Sequence, residues 1–188
     1  HDFFMLHPKI IYSGDYSVGA YDIDSQKRLS LPSLVRMMHE AAMQNVIRLK
    51  LSVWDLEPQH LTWVLMRKAM RFERLPLLGE RITVLTYPAG FERLFTYRDY
   101  RVFDNAGRQI AASSSTWLLM DTRSRRMSPI PNNIRALNDQ MPASADCLPR
   151  PGNKIPRPDR LEKHRRYIVN FFDLDFNQHL NNTLYMKW

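Results

Sequence analysis

The run from Asp173 to Asn182 concentrates side chains that can do chemistry. It contains two Asp, three Asn and one His within ten consecutive residues. The imidazole of His179 can both accept and donate a proton, so it can act as a general acid or base. Asp175 can orient that imidazole, and Asn177 can position a water or a carbonyl through its amide. In most proteins, however, Asp and Asn ahead of a helix serve only as N-caps, so the run alone leaves a catalytic and a structural interpretation open.

A similar segment lies near the N-terminus, at a constant offset of 151 residues. Tyr16–Asp24 aligns without a gap with Tyr167–Asp175, and Tyr, Val and both Asp are identical. A repeat at this distance indicates a duplicated domain rather than a solenoid unit. The first copy keeps the Asp pair but has no Asn or His, and Arg28 stands in place of His179. Any acid–base chemistry of this motif therefore belongs to the second copy.

One long helix is predicted to follow the first copy of the motif. Ser30 is the expected N-cap, and Pro32 lies in the first turn. Apolar side chains recur at helical spacing from Leu34 to Leu49, which predicts a broad apolar face. Asp55–Gln59 is expected to be a loop. Where the second copy gives way to a helix near Asn181, free backbone N–H groups are expected at the helix start.

A meander of strands is predicted around that helix. The expected strands are Tyr16–Tyr21, Leu61–Arg74, Arg81–Tyr87, Leu94–Phe103 and Gln109–Met120. A slip in the apolar alternation predicts a bulge near Arg67 and Lys68, and Pro88–Gly90 is expected to end the third strand. Asp104–Gly107 is typical of a hairpin turn. The apolar face of a single long helix must be buried, and a sheet of long antiparallel strands buries it by wrapping around the helix. The predicted class is therefore α+β, a hot-dog fold.

Composition limits the remaining possibilities. Hydrophobic residues make up 44% and charged residues 24% of the chain, which is typical of a globular protein. The sequence contains no run of about 18 apolar residues, so no membrane span is expected. The N-terminus lacks the pattern of a signal peptide. The single cysteine, Cys147, excludes an intramolecular disulfide and is expected to be an inert thiol. A single cysteine fits a reducing compartment such as the cytoplasm.

The net charge of +8 favours an anionic partner. Nucleic acid ranks last among such partners, because no nucleic-acid motif accompanies the scattered basic residues. The six histidines show no metal-ligand spacing, and the six glycines form no phosphate loop. Neither a metal nor another cofactor is therefore expected.

The run Asp173–Tyr185, with its pattern D-x-D-x-N-x-H-x-N-N-x-x-Y, resembles the signature of plant and bacterial acyl-acyl carrier protein thioesterases. The stretches Leu61–Arg67 and Ser115–Pro131 also resemble the first domain of that family. The resemblance implies two tandem hot-dog units, the first shaping the acyl pocket and the second supplying the catalytic groups. It implies that Asp175, Asn177 and His179 form the catalytic trio. The family also uses a Glu further along the second unit, expected beyond Trp188.

The resemblance implies a division of the chain and several binding residues. The expected parts are residues 1–135 as the N-terminal hot-dog unit, 136–164 as a Pro-rich basic linker, and 165–188 as the start of an incomplete catalytic unit. Trp63, Met66 and Trp117 are the expected acyl-pocket residues. The expected docking surface for an acidic carrier protein consists of basic side chains at Arg123, Arg125, Arg126, Arg165 and Arg166.

Several functional alternatives remain beside hydrolysis of acyl-acyl carrier protein (acyl-ACP). The substrate can instead be acyl-CoA, and the protein can be a non-catalytic acyl-binding hot-dog protein. Hot-dog units usually pair, either within one chain or between two copies as a homodimer.

Overall fold

The computed structural model describes residues 10–152, 155–157, 159–160, 164–175 and 178–188. In these ranges six antiparallel strands form one sheet in the order β1-β3-β4-β5-β2, with β6 paired to β5. The strands are β1 (Tyr12–Ser17), β2 (Leu61–Phe72), β3 (Arg81–Glu92), β4 (Phe95–Asp104), β5 (Gln109–Asp121) and β6 (Met127–Ser128). The helices are α1 (Leu31–Arg48), α2 (Val53–Leu56), α3 (Asn132–Arg135) and α4 (Leu184–Lys187).

Helix α1 begins where the sequence predicts. The Ser30 hydroxyl accepts a hydrogen bond from the backbone N–H of Ser33 at 3.3 Å, and Pro32 lies in the first turn. The helix then runs for 18 residues and buries one face, which includes Leu34, Met38 and Ala41. These side chains are fully buried, so burial of this face against the sheet holds the helix in place.

The sheet wraps α1, which confirms the hot-dog prediction. The alternating positions of β4 separate into two faces. Tyr100 and Val102 pack with the buried face of α1. Tyr97 and Phe103 instead pack on the outer face, beside Tyr87 of β3. Asp104 closes the β4–β5 hairpin, since its carboxylate accepts backbone N–H groups from the turn that follows.

Three local predictions are wrong. The first strand covers Tyr12–Ser17 rather than Tyr16–Tyr21, because Gly19–Asp22 forms a turn in which the Asp22 carboxylate accepts the N–H of Gly19 at 3.0 Å. Strand β3 does not end at Pro88 but continues to Glu92. Its pairing with β4 shifts between Pro88 and Gly90, so Ala89, directly after the proline, is the extra residue of a bulge.

The third wrong prediction is the loop at Asp55–Gln59. This segment is helical, with α2 followed by a 3-10 turn at Glu57–Gln59. Asp55 accepts the N–H of Ser52 at 2.9 Å and forms a capping box with it. That local pair nucleates a turn where the sequence shows no apolar periodicity.

The segment after β6 packs against the first unit on both sides of residue 136, where the predicted linker begins. Ile134 of α3 is 1% exposed and belongs to a buried cluster with Leu119 and Leu61. Further along, the backbone N–H of Leu148 donates to the carboxylate of Asp99 at 2.7 Å. Residues 130–148 therefore extend the body of the first unit.

Candidate active site

Two turns in the chain share the same backbone hydrogen bonds. In the first, the N–H of Asp24 donates to the carbonyl of Arg28 at 2.7 Å, and the Asp24 carboxylate accepts the N–H of Arg28 at 3.0 Å. In the second, the N–H of Asp175 donates to the carbonyl of His179 at 2.7 Å, and the Asp175 carboxylate accepts the N–H of His179 at 3.0 Å. An Asp that binds the backbone of its own turn specifies this conformation locally.

The correspondence extends over the whole turn. Lys27 and Gln178, one residue before these acceptors, have left-handed φ angles of 61° and 60°. The N–H of Ser30 donates to the carbonyl of Asp22 at 2.8 Å, and the equivalent bond in the second turn is also 2.8 Å. The repeat predicted from the sequence is therefore confirmed in three dimensions for residues 22–30 and their counterparts, except at positions outside the described residues.

The two turns differ in the residue four positions after the Asp, which is Arg28 in the first turn and His179 in the second. Arg28 donates from Nε and Nη2 to the Asp24 carboxylate at 3.1 and 3.0 Å. The backbone N–H of Arg28, together with its side chain, lowers the pKa of Asp24. A guanidinium stays protonated and can accept no proton. His179 is exposed at the equivalent point and can both accept and donate one.

Only part of the predicted catalytic trio can be placed. Asp175 and His179 share one turn, whereas Asn177 lies outside the described residues. At the constant offset, Gln26 occupies the Asn177 position in the first copy. The structure thus brings together the carboxylate and the imidazole-bearing residue of the predicted trio.

The expected strand-to-helix transition around this turn is wrong in its details. A 3-10 turn at Phe171–Asp173 precedes it, and α4, which follows, is only four residues long. The Asn181 side chain accepts the N–H of Thr183 at 3.0 Å, so a helix-start donor is already used. The short helix therefore offers no basis for assigning the donors that would stabilise an oxyanion.

An apolar cavity of about 180 Å³ lies inside the first unit, between α1, the sheet and the α3 segment. Trp63 and Trp117 line it, and their indole N–H groups donate to the carbonyl of Leu51 and to the hydroxyl of Ser115. The wall is mostly apolar, which suits an alkyl chain. The lining consists of side chains from His39, Ala42, Met43, Val46, Leu51, Trp63, Pro88, Phe91, Thr96, Tyr97, Arg98, Trp117, Ile134, Leu137 and Met141.

Met66 does not line this cavity, contrary to the expectation. The pairing of β2 with β5 shifts between Leu65 and Arg67, so Met66 is the bulged residue. Its side chain is 47% exposed. The bulge predicted from the sequence is confirmed, and its position turns Met66 away from this cavity.

Sequence reasoning missed two polar residues in the cavity wall. Arg98 is buried and donates to Asn45 at 2.8 Å and to Thr86 at 3.2 Å. Burial lowers its pKa. His39 lies on the buried side of α1, where burial and the nearby Lys68 lower its pKa to about 3. The available signal was a charged or polar residue at an inward position of an otherwise apolar pattern.

Comparison with known families identifies the chain. The model of the acyl-ACP thioesterase N-terminal domain matches residues 9–138, and that of the acyl-ACP thioesterase C-terminal domain matches residues 157–188.

The chain belongs to the acyl-ACP thioesterase family.

Individual relatives agree with this membership. The palmitoyl-acyl carrier protein thioesterase of Cuphea hookeriana is 27% identical over 192 residues, which cover 95% of this chain and 46% of the relative. A structure described as an oleoyl thioesterase from Lactobacillus plantarum superposes with a TM-score of 0.79 and 26% identity, covering 95% of this chain and 69% of that one. The 12:0-ACP thioesterase of Umbellularia californica gives 0.74 at 22% identity, covering 97% and 74%. The chain spans about half the length of the curated relatives it matches.

The basic residues predicted to dock a carrier protein lie on two segments of this family member. Arg123, Arg125 and Arg126 occupy the exposed turn between β5 and β6. The Arg123 side chain contacts the ring of His60, and Arg125 has a left-handed φ of 55°. Residues 165–166 are exposed and precede the second copy of the turn.

The Cys147 thiol is half-buried near the carbonyl of Ala89, and burial raises its pKa, which lowers the fraction of reactive thiolate. Within the described ranges, no group of three His, Cys, Asp or Glu side chains is placed to hold a metal ion. No helix in those ranges is long and apolar enough to cross a membrane.

Proposed function

We propose that the full-length protein hydrolyses the thioester of fatty acyl-ACP and thereby ends fatty-acid synthesis. Water adds to the acyl carbon, the carbon–sulfur bond breaks, and the carrier thiol leaves with a proton as free fatty acid forms. The observation that carries this proposal is the turn shared by Asp175 and His179, in a chain of the acyl-ACP thioesterase family. Because its counterpart in the first unit holds Arg28, acid–base chemistry is assigned to the second turn.

The proposed roles follow from the chemistry of each side chain. His179 acts as the general base that takes a proton from the attacking water and returns it to the leaving thiolate. Asp175 fixes the turn by accepting the N–H of His179. Asn177 positions the water or the carbonyl through its amide. Catalysis in this scheme needs no cofactor.

The proposed division of labour assigns residues 1–135 to the acyl pocket, 136–164 to a linker whose first part, up to Leu148, packs on that unit, and 165–188 to the start of the catalytic unit. The apolar cavity beside Trp63 and Trp117 supports the first assignment. The site on the second turn supports the last. We propose that the units pair within the chain, and a homodimer of full-length chains is the alternative to be separated by light scattering.

Activity of a matched pair of variants tests the catalytic assignment. His179→Ala in the full-length protein is expected to lower kcat/KM for acyl-ACP by roughly 10²–10⁴-fold, the usual contribution of a general base. Arg28→Ala changes the equivalent position of the first turn and is expected to leave kcat/KM within a few-fold. Near-normal turnover by His179→Ala would exclude the proposed role. Absence of turnover by the wild type, together with saturable binding of fatty acid, would favour the non-catalytic acyl-binding alternative.

The carrier protein is the proposed partner because exposed arginines can attract its acidic surface. Replacing Arg123, Arg125 and Arg126 together by Gln is expected to raise KM for acyl-ACP several-fold and to weaken its dependence on salt. The KM for an uncharged acyl-pantetheine should not change. Equal or better kcat/KM for acyl-CoA than for acyl-ACP would favour the acyl-CoA alternative. The proposed location is a reducing compartment, the cytoplasm or a plastid stroma.

A further inference from the structure

A second cavity of about 210 Å³ lies between α1, β2 and the segment that follows the His179 turn. Three buried polar atoms in its wall have no hydrogen-bond partner in the described part of the chain: Nε2 of His39, Nζ of Lys68 and Oδ1 of Asn182. The complete lining is Val35, His39, Leu65, Lys68, Met70, Asn182 and Met186. Polar atoms are rarely left unpaired in a protein interior, so their convergence on one cavity calls for an explanation.

The charge of this cluster is unbalanced. The ammonium group of Lys68 lies 4.2 Å from the centroid of the Tyr100 ring, and Arg98 is close enough to lower the pKa of Lys68. No carboxylate in the described ranges forms an ion pair with Lys68 or His39. An unpaired buried amine costs stability and contributes nothing to packing that a methionine would not supply. Ligand binding is therefore a better account of Lys68 than folding.

The position of the cavity indicates which ligand reaches it. His39 lines both this cavity and the apolar one, so its ring forms part of the wall between them. Asn182 closes the second cavity from the other side, three residues after His179. In the proposed path, an acyl chain that extends from the catalytic turn towards the apolar cavity runs beside Lys68 and His39.

The donor and acceptor set selects the chemical group. The protonated amine of Lys68 only donates, and the Asn182 oxygen only accepts. A hydroxyl satisfies both, since its oxygen accepts from Lys68 and its hydrogen binds Asn182. A ketone oxygen leaves the Asn182 oxygen unpaired, and a carboxylate is repelled by it. An unsubstituted methylene chain leaves every polar atom of the cluster unpaired.

We propose that this cavity is a subsite for a hydroxyl group carried by the acyl chain, so that the protein prefers hydroxyacyl substrates to unsubstituted acyl substrates. The inference rests on the proposed function, because it takes the acyl chain to enter from the His179 turn. Lys68 and Asn182 are the specificity-determining residues. A hydrogen bond to a buried charged group contributes about 1.5–3 kcal/mol, which corresponds to roughly a 10- to 100-fold preference.

Turnover of a substrate series by the full-length protein tests the subsite. The series consists of dodecanoyl-ACP and of dodecanoyl-ACP carrying one hydroxyl, which is moved along the chain. At one position of the hydroxyl, wild-type kcat/KM should exceed that for dodecanoyl-ACP by tenfold or more. Lys68→Met should reduce this ratio to about one, while Lys50→Met, at an exposed lysine on the same unit, should keep it. Asn182→Ala should lower the ratio for the hydroxyl but not for an oxo group at the same carbon.

The refuting outcomes are separate for the two proposals. No preference at any hydroxyl position, or a preference that survives Lys68→Met, overturns the subsite and indicates that the cavity holds only water. If the protein hydrolyses no acyl-ACP, calorimetric binding of hydroxydodecanoic and dodecanoic acids to the wild type and Lys68→Met still decides the subsite without turnover. A hydroxyl preference in binding with no hydrolysis would overturn the proposed function alone.

Discussion

Replacing Lys68 by methionine should make the protein more stable, although it removes a charged side chain that spans the core. Methionine has a similar length and can follow the same path beside Tyr100 and Met70. It removes the ammonium group, which has no hydrogen-bond partner in the described part of the chain. The variant therefore separates a lysine kept for binding from one kept for folding.

The magnitude follows from the pKa of Lys68. Burial, with a further contribution from Arg98, lowers this pKa from 10.5 to about 7. A difference of this size corresponds to a penalty on the order of 5 kcal/mol for the protonated form. His39 on α1 and Arg98 and Tyr100 on β4 are the titratable or charged groups that face it. None of them offers a carboxylate to offset the charge.

The sign of the pH dependence can be worked out from the same values. Between pH 7 and 10.5 the unfolded chain binds a proton at Lys68 that the folded protein does not bind. The lysine thus destabilises the fold fully below pH 7, and this cost disappears as the pH rises through 10.5. The stability gained by Lys68→Met should be largest near or below pH 7 and should shrink towards pH 10.5.

Urea denaturation of the full-length protein, followed by tryptophan fluorescence across this pH range, measures the effect. Trp63 and Trp117 report on the first unit, where both line the apolar cavity. Lys50→Met, at an exposed lysine, should change the free energy of unfolding by less than about 0.5 kcal/mol. A destabilised Lys68→Met protein, or a gain that is independent of pH, would refute the reasoning and indicate a structural partner for the amine.

Three further predictions concern the first unit. Burial holds the pKa of His39 at about 3, so the unfolded chain takes up this proton first and the wild type should lose stability as the pH falls from 6.5 towards 3. His39→Leu should remove this loss, which acid titration of the melting temperature checks. Asp104→Asn should lower the melting temperature above pH 4, since the Asp104 carboxylate pairs with Arg74 and Arg108. The difference in melting temperature between variant and wild type should close as the carboxylate protonates in acid, and a difference independent of pH would contradict this account. Ile134→Ala removes buried side-chain atoms from the wall of the apolar cavity, so it should cost about 2–5 kcal/mol of stability. Because the cavity becomes larger, acyl preference should shift towards longer chains. An unchanged chain-length profile in turnover assays would argue against that cavity as the acyl pocket.

The parts of the fold that the sequence predicts correctly depend on local interactions. The start of α1 at Ser30 and the hairpin at Asp104 each rest on a side chain that binds backbone within a few residues. The errors arise where local signals compete with sheet pairing. Pro88 predicts the end of a strand, yet pairing with β4 continues past a bulge.

The assembled cavities lay beyond sequence reasoning for a different reason. The pattern shows that Trp63 and Trp117 are candidates, but a one-residue bulge decides that Met66 points elsewhere. Polar residues at inward positions, such as Arg98, are visible in the sequence. Their partners are not, because Arg98 binds Asn45, which lies 53 residues away.

The sequence by itself determined the repeated Asp turn, and with it the place of His179. That turn is specified by an Asp side chain and the backbone around it, so its sequence pattern carries its conformation. Only the tertiary structure brought His39, Lys68 and Asn182 to one cavity. These residues come from a helix, a strand and the second unit, and no spacing within the chain encodes contacts that depend on how the sheet wraps α1.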